Sequence, residues 1–494
     1  MVAQAPPVVA SPRDLTFVPV GPELVLVGTA IALLLLDSLR PGEDQRPLAL
    51  LSLAGLGGAA AFAAYLWWWV DRPGTADTAL GGMVSADRFS VFLRLVVLGV
   101  AALSVLLSHL YLDRAGEARG EYYPLLLLST VGMTLIVASA DLIMVFLSLE
   151  VLSLSLYLMT GFSFRRLASA EASMKYFLLG AFSSAFFLFG VAMVYGATGT
   201  TRLAGIAAGL TSQPGPPALA LAGAALLGTG FAFKVAAVPF HMWTPDAYQG
   251  APTCVTAFMS AGTKVAAFGA LLRVFHVALL PLALDWRPFV SVLAAVTMVV
   301  GSLLAIAQTD VKRMLAYSSI AHAGFILVGV SAGSAQGVRG AMFYLLAYAV
   351  MILGAFGAVM LVSGRGESDL SLGSYAGLAR RSPFLAVALA LFLLSLAGIP
   401  PTAGFIAKVA VFAPAIQAGY WPLVLVAVIA SVIAAFFYIR VIVLMYMQEP
   451  ATGQALEPPP VGRLAVAVPA ALTLLFGVLP ALVFGFLQSA ALGS

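Results

Sequence analysis

Apolar stretches of about 18–25 residues recur along this chain from end to end, each long enough to cross the roughly 30 Å of hydrocarbon in a bilayer. Fourteen can be read, at residues 22–39, 47–70, 88–111, 122–139, 141–161, 172–196, 217–240, 253–280, 287–308, 314–333, 339–363, 383–413, 419–447 and 464–489. Lipid gives backbone N–H and C=O groups no partner, so a crossing segment closes its hydrogen bonds as a helix or within a closed barrel. The stretches lack the apolar–polar alternation of barrel strands. The expected fold is therefore an all-α polytopic membrane protein of about fourteen transmembrane helices. Composition agrees: 9% of residues are charged, whereas a soluble chain carries about a quarter. The longest polar connection, Gly196 to Pro217, leaves no room for a water-soluble domain.

Several chemistries are excluded early. A single cysteine, Cys254, rules out internal disulfides and Cys-ligated clusters, and the four histidines stand far apart without ligand spacing. No basic run exists, so nucleic acid is not an expected partner; membrane lipid is. No glycine-rich phosphate loop or nucleophile triad is present, and no cofactor or metal is expected in the chain itself. The N-terminus lacks the charged-then-apolar pattern of a cleaved signal peptide, and the first helix is expected to serve as its own insertion signal.

Arginine placement gives an orientation. With the N-terminus outside, the cytoplasmic loops carry Arg40, Arg46, Arg114, Arg119, Arg165, Arg166, Lys312, Arg313, Arg365, Arg380, Arg381 and Arg463. The opposite side has Arg13, Arg72, Arg88, Arg202, Arg287 and Arg339. This bias predicts both termini on the outer side of a bacterial plasma (inner) membrane.

Two segments are broken by proline: the seventh helix, with Pro239 and Pro245, and the twelfth, with Pro400 and Pro401. Interrupted helices at corresponding places in two halves mark the transport site of inverted-repeat transporters. Helices four to eight and nine to thirteen thus read as two five-helix units, and an odd number of helices must invert when repeated. The expected organisation is three N-terminal helices in 1–121, a first repeat in 122–280, a second in 281–450 and a last helix in 451–494.

The charges inside these helices carry the functional message. Of 25 basic residues only five are lysines, and Lys175, Lys234, Lys264 and Lys408 fall within apolar segments. Glu150 lies in the middle of the fifth helix. A charge at a helix centre costs roughly 2.5–3.5 kcal/mol on insertion scales, so this set costs on the order of 10 kcal/mol. A desolvated ammonium can surrender its proton, whereas a guanidinium stays charged. A buried glutamate–lysine pair is then a proton switch, a row of lysines a relay, and Arg440 a fixed counter-charge. Helix–helix salt bridging explains one pair but not three lysines around one acid. Glu171 and Lys175, four apart, can pair with each other. His241 and His322 sit beside polar clusters and are candidate carriers. Asp246 reads as a tether of the broken helix, and Ser318 and Ser319 as hydroxyls lining a wet path. The aromatics carry no specific message.

Three stretches, EASMKYFLLGAFSSAFFLFGVAMVYGATGT (171–200), AFKVAAVPFHMWTPDAYQGAPTCVTAFMSAGTKVAAF (232–268) and AIAQTDVKRMLAYSSIAHAGFILVG (305–329), closely resemble subunit N of bacterial type I NADH–quinone oxidoreductase, respiratory complex I, and its organellar counterpart NADH dehydrogenase subunit 2. The resemblance runs from about residue 85 to 450. It implies an antiporter-like subunit of the membrane arm, in which quinone reduction elsewhere drives proton translocation. Glu150 then matches the helix-five glutamate, Lys234 the helix-seven lysine, Lys264 the central helix-eight lysine and Lys408 the terminal helix-twelve lysine. Glu171, Lys175, His241, Asp246 and Lys312 fall on further polar positions of the motifs. Two related subunits differ: M has a glutamate where Lys408 stands, and L ends in a long lateral helix. Cys254 departs from the pattern, standing where proline usually follows GAPT. The implied partners are other complex I subunits, especially neighbouring antiporter-like ones, and the implied complex holds FMN, iron–sulfur clusters and quinone outside this chain. The alternative is the homologous subunit of a multisubunit sodium/proton antiporter or membrane-bound hydrogenase.

Overall fold

The computed structural model describes residues 17–39, 45–72, 78–212, 215, 217–364, 367, 369–450, 455–490 and 492. Arg13, Arg40 and Arg365, used above for orientation, lie outside them. Three helices lead: α1 (Gly21–Leu39), α2 (Arg46–Trp69) and α3 (Arg88–Ala115). Next come α4 (Tyr122–Ala138), α5 (Leu142–Thr160), α6 (Leu167–Thr198), a short α7 (Leu203–Thr211), α8 (Ala218–Val235), α9 (Trp243–Gly250) and α10 (Thr253–Arg273). The second half holds α11 (Ala283–Ile306), α12 (Val311–Ser331), α13 (Ala335–Val362), a one-turn α14 (Leu378–Arg381), α15 (Pro383–Ala397), α16 (Ala403–Gln417) and α17 (Trp421–Met447). The last are α18 (Pro460–Val478) and α19 (Ala481–Gln488).

Twelve helices are long and apolar enough to cross a membrane, and the shorter α4, α15 and α16 complete the set. Counting α15 and α16 as the one proline-broken span that the sequence predicts, the described residues hold about fourteen candidate spans. Caps fix where several begin. Asp87 and Ser90 form a reciprocal capping box on α3, Asp141 caps α5, Asp310 caps α12 and Ser334 caps α13. The centre of the molecule is α10, buried along its whole length, with α12 and α13 nearly so. Small residues let its neighbours close in: Gly262 of α10 faces Met133, and Gly269 faces Leu93 and Val137.

The two halves use matching pairings. In the first, α4 packs on α5 and α10, and α6 on α8 and α9; in the second, α11 packs on α12 and α17, and α13 on α15 and α16. Both expected breaks are present. Helix α8 stops at Ala236, in the left-handed region at φ +63°, and helix resumes at Trp243. Helix α15 stops at Gly398, φ +89°, and helix resumes at Ala403. Carbonyls freed by each break need other donors. The Trp243 indole N–H bonds Phe233 O at 3.0 Å, and Lys408 Nζ bonds Ala397 O at 2.7 Å.

Three details differ from the sequence reading. The connection from Gly196 to Pro217 contains α7, lying where a polar loop is expected. The last crossing is split at Leu479–Pro480, where proline ends α18 without a charged residue nearby to draw attention. A two-residue hairpin, Thr78–Ala79 with Val84–Ser85, precedes α3.

Candidate functional site

Helix α5 presents Glu150, Ser153 and Tyr157 at spacings of three and four, so they form one stripe. The Glu150 carboxylate accepts a short hydrogen bond from Ser184 of α6 and is only half-buried, near the exposed Leu147, Val151 and Leu154. Lys234, in the last turn of α8, is buried and donates to Ser153 Oγ at 2.6 Å. Its ammonium lies 5.8 Å from the Tyr157 ring and 5.6 Å from the Tyr176 ring, contacts at cation–π range. Glu150 and Lys234 make no direct hydrogen bond; Lys234 instead meets Ser153, three residues along α5 from Glu150. Trp243 stacks on Tyr176 at 4.5 Å and walls the break on the other side.

Lys264 lies in the middle of α10, wholly surrounded by protein, and donates to the Ser319 carbonyl of α12 through a short contact. The Tyr348 ring of α13 covers it at 5.3 Å. From there a polar seam continues. His322, three residues after Ser319, bonds Tyr344 Oη at 2.7 Å through Nδ1 and Tyr438 Oη at 3.2 Å through Nε2. Tyr438, on α17, also meets the Ser318 hydroxyl. Lys408 of α16 stands over the Phe325 ring at 4.7 Å, and Phe325 packs against His322. The hydroxyls of Ser319, Tyr176 and Tyr348 are buried beside the lysines without a well-formed hydrogen bond, so they have lone pairs and protons to offer.

Of the remaining sequence candidates, Glu171, Lys175, Asp246 and Lys312 gather on the arginine-rich face, and His241 stays in the α8–α9 break. Lys175 is expected within an apolar segment, yet its side chain is 46% exposed and pairs with Glu171 at 2.7 Å and Asp246 at 3.0 Å. It sits in the third turn of α6, where the helix emerges beside α9. Asp246 also pairs with Arg313 at 2.8 Å, tying the half-helix α9 to α12. These side chains line an open polar cavity of about 380 Å³. His241 is half-buried in the α8–α9 break, its Nδ1 unbonded. Lys312 is fully buried and meets Glu367 at 3.1 Å. Arg440 donates to Ile306 O at 3.2 Å and so caps the C-terminus of α11, a fixed charge at the negative end of a helix.

Sequence reasoning missed Ser153, Ser184, Tyr157, Tyr176, Tyr344, Tyr348, Tyr438 and Glu367. The aromatics do carry a message: these tyrosines lie in helix interiors rather than at the interfaces where tyrosine normally anchors a span, and that position was the available signal. It also missed the buried pair Arg94–Glu23, 3.0 Å apart, which joins α3 to α1. Among the described residues no three His, Cys, Asp or Glu side chains come together as a metal site.

The comparisons with known proteins bear on this geometry. Residues 139–434 match the family model described as NADH:quinone oxidoreductase/Mrp antiporter, transmembrane. NADH-quinone oxidoreductase subunit N of Trichlorobacter lovleyi is 46% identical over 95% of this chain and 96% of its own. The chain belongs to the subunit N family. Among solved structures, a chain of respiratory complex I from Thermus thermophilus with bound aureothin matches at TM-score 0.80 and 35% identity, covering 95% of this chain and 99% of the other. A chain of the membrane-bound sulfane sulfur reductase, an archaeal respiratory membrane complex, matches at TM-score 0.86 but 26% identity, covering 96% and 97%. The fold is therefore shared more widely than the sequence, and it is the sequence that distinguishes the subunit N family.

Proposed function

We propose that this chain is the proton-translocating, membrane-arm subunit of an NADH–quinone oxidoreductase, with Glu150, Lys234, Lys264 and Lys408 as its proton-carrying groups. The observation that supports this most is the buried seam from Lys264 through His322, Tyr344, Tyr438 and Ser318 toward Lys408, because a merely structural core has no use for so much desolvated polarity. The two breaks lead to opposite faces. Half-helix α9 runs from the Lys234 break to the arginine-rich face, and α16 carries Lys408 away from it. Protons enter from that face, read as cytoplasmic, past the Glu171–Lys175–Asp246–Arg313 cavity and the Tyr176–Trp243 stack to Lys234. They pass along Lys264 and His322 and leave near Lys408. Glu150, at the half-exposed face of α5 and α6, sets the proton affinity of Lys234 through Ser153 and couples it to a neighbouring subunit. FMN, iron–sulfur clusters and quinone belong to other subunits of the complex, and the matching pairings of the two units fit an inverted repeat.

Proton pumping by the assembled complex tests this reading. Glu150→Gln or Lys234→Ala is expected to cut pumping by a factor of 10²–10³ or so, the usual scale for losing a positioned proton carrier. Normal pumping by an intact, assembled variant complex overturns it. The antiporter alternative makes a different prediction about company: this chain would then purify with membrane subunits only, without flavin and iron–sulfur proteins.

A further inference from the structure

Glu367 lies in the loop between α13 and α14 on the arginine-rich face, with its side chain wholly buried. Three distant elements converge on it. The backbone N–H of Thr253, first residue of α10, donates to it at 2.5 Å. Lys312 Nζ of α12 and Arg166 Nη1, at the start of α6, meet the other oxygen at 3.1 and 2.9 Å. Lys312 also donates to Ala251 O at 2.5 Å, just ahead of α10.

A helix leaves its first N–H groups without partners, and α10 has no cap of its own, because Pro252 stands at the N-cap position and offers no side-chain acceptor. Glu367 supplies that cap from another part of the chain, placing a carboxylate at the positive end of the helix. The same carboxylate holds α12 through Lys312. These are the two helices whose contact is Lys264 on the Ser319 carbonyl. Thr253 is eleven residues from Lys264, about 16 Å along α10, and Lys312 is seven residues from Ser319, about 10 Å along α12. One anchor at one end of both helices sets their register at the relay. Glu367 itself sits in the left-handed region at φ +54°, a conformation that a non-glycine residue keeps only when its surroundings hold it there.

We propose that Glu367 is a positioning residue for proton transfer, fixing α10 against α12 so that Lys264 meets the Ser319 carbonyl; this rests on the reading of Lys264 as a relay group. The test uses the whole complex in its host membrane, with assembly checked by NADH oxidation to an artificial acceptor. In Glu367→Gln the counter-charge to Lys312 and Arg166 is lost, and pumping per NADH is expected to fall about tenfold or more, the scale of a small misplacement at a reacting group. Hydrogen–deuterium exchange of the amides at 253–257 should rise about tenfold at the same time. Glu367→Asp keeps the charge and tolerates the left-handed backbone, so it should retain most of the pumping. Wild-type pumping in Glu367→Gln, or unchanged amide exchange at the start of α10, overturns the proposal. If Glu367→Gln does not assemble, Lys312→Met with and without Glu367→Gln removes the stranded charge, and the exchange comparison decides in the same way. Lys264→Met separates the two ideas: normal pumping there sinks the relay reading whatever Glu367 does.

Discussion

At the scale of single residues, lysine against arginine is the informative choice. Arg94, Arg273 and Arg440 are used as fixed charges: Arg94 on Glu23, Arg273 on Asp87 at 2.6 Å, Arg440 on a helix end. Among the described residues Lys264 and Lys408 have only backbone carbonyls as hydrogen-bond acceptors, so only those carbonyls and the neighbouring rings hold the ammonium, and no carboxylate does. Lys264→Arg keeps the positive charge and a donor toward Ser319 but cannot release a proton. It is expected to abolish pumping while the complex assembles, and Lys264→Arg pumping near the wild-type rate would show that the charge serves packing alone. Glu150 and the lysines were legible in the sequence because each is costly where it stands. Glu367 was not. It lies in a polar stretch, SGRGESD, where a glutamate is unremarkable, and its partners are 55, 114 and 201 residues away. The interior tyrosines gave only a weak signal, their position within the spans, because a phenol is cheap to bury and only its neighbours show whether its hydroxyl faces lipid or a lysine.

At the scale of elements, the two breaks place the lysines differently on similar backbone turns. Lys234 comes before its break and Lys408 after, and the turn itself is left-handed in both, at Ala236 and Gly398. Left-handed backbone costs a residue with a Cβ roughly 1–2 kcal/mol, so Ala236→Gly should raise the unfolding temperature of the detergent-extracted complex. Gly398→Ala should lower it, and should do more. A Cβ at 398 would lie 2.9 Å from Lys408 Cδ and 3.1 Å from its Nζ, so the lysine must leave the Ala397 carbonyl. Pumping is therefore expected to fall in Gly398→Ala beyond what its stability explains; unchanged pumping would mean that Lys408 does not act from this position. Prolines announced both breaks in the sequence. They could not announce how the freed carbonyls are satisfied, because Trp243 and Lys408 reach them only once the chain has folded back.

At the scale of the whole molecule, fold alone does not separate the complexes that use it, since the sulfane sulfur reductase chain superposes better than the complex I chain at lower identity. Function has to be argued from the charged groups and what joins them. Glu367 is where the joining concentrates, binding the ends of α6, α10 and α12 from a loop that follows α13. Burial pushes its carboxyl up, but Lys312 and Arg166 outweigh burial and bring it down to about 2. An unfolded glutamate titrates near 4.3. Because the folded value is the lower one, the cluster's contribution is fully present above about pH 4.3 and is lost as the pH falls toward 2. Acidification from about pH 6 to about pH 3 should therefore lower the unfolding temperature of the wild-type membrane arm more steeply than that of Glu367→Gln, which has no proton to take up there. Tryptophan fluorescence melts in detergent measure both slopes. Parallel slopes would mean that the carboxylate is not held charged between the two cations, and that the tie between the helix ends is made elsewhere.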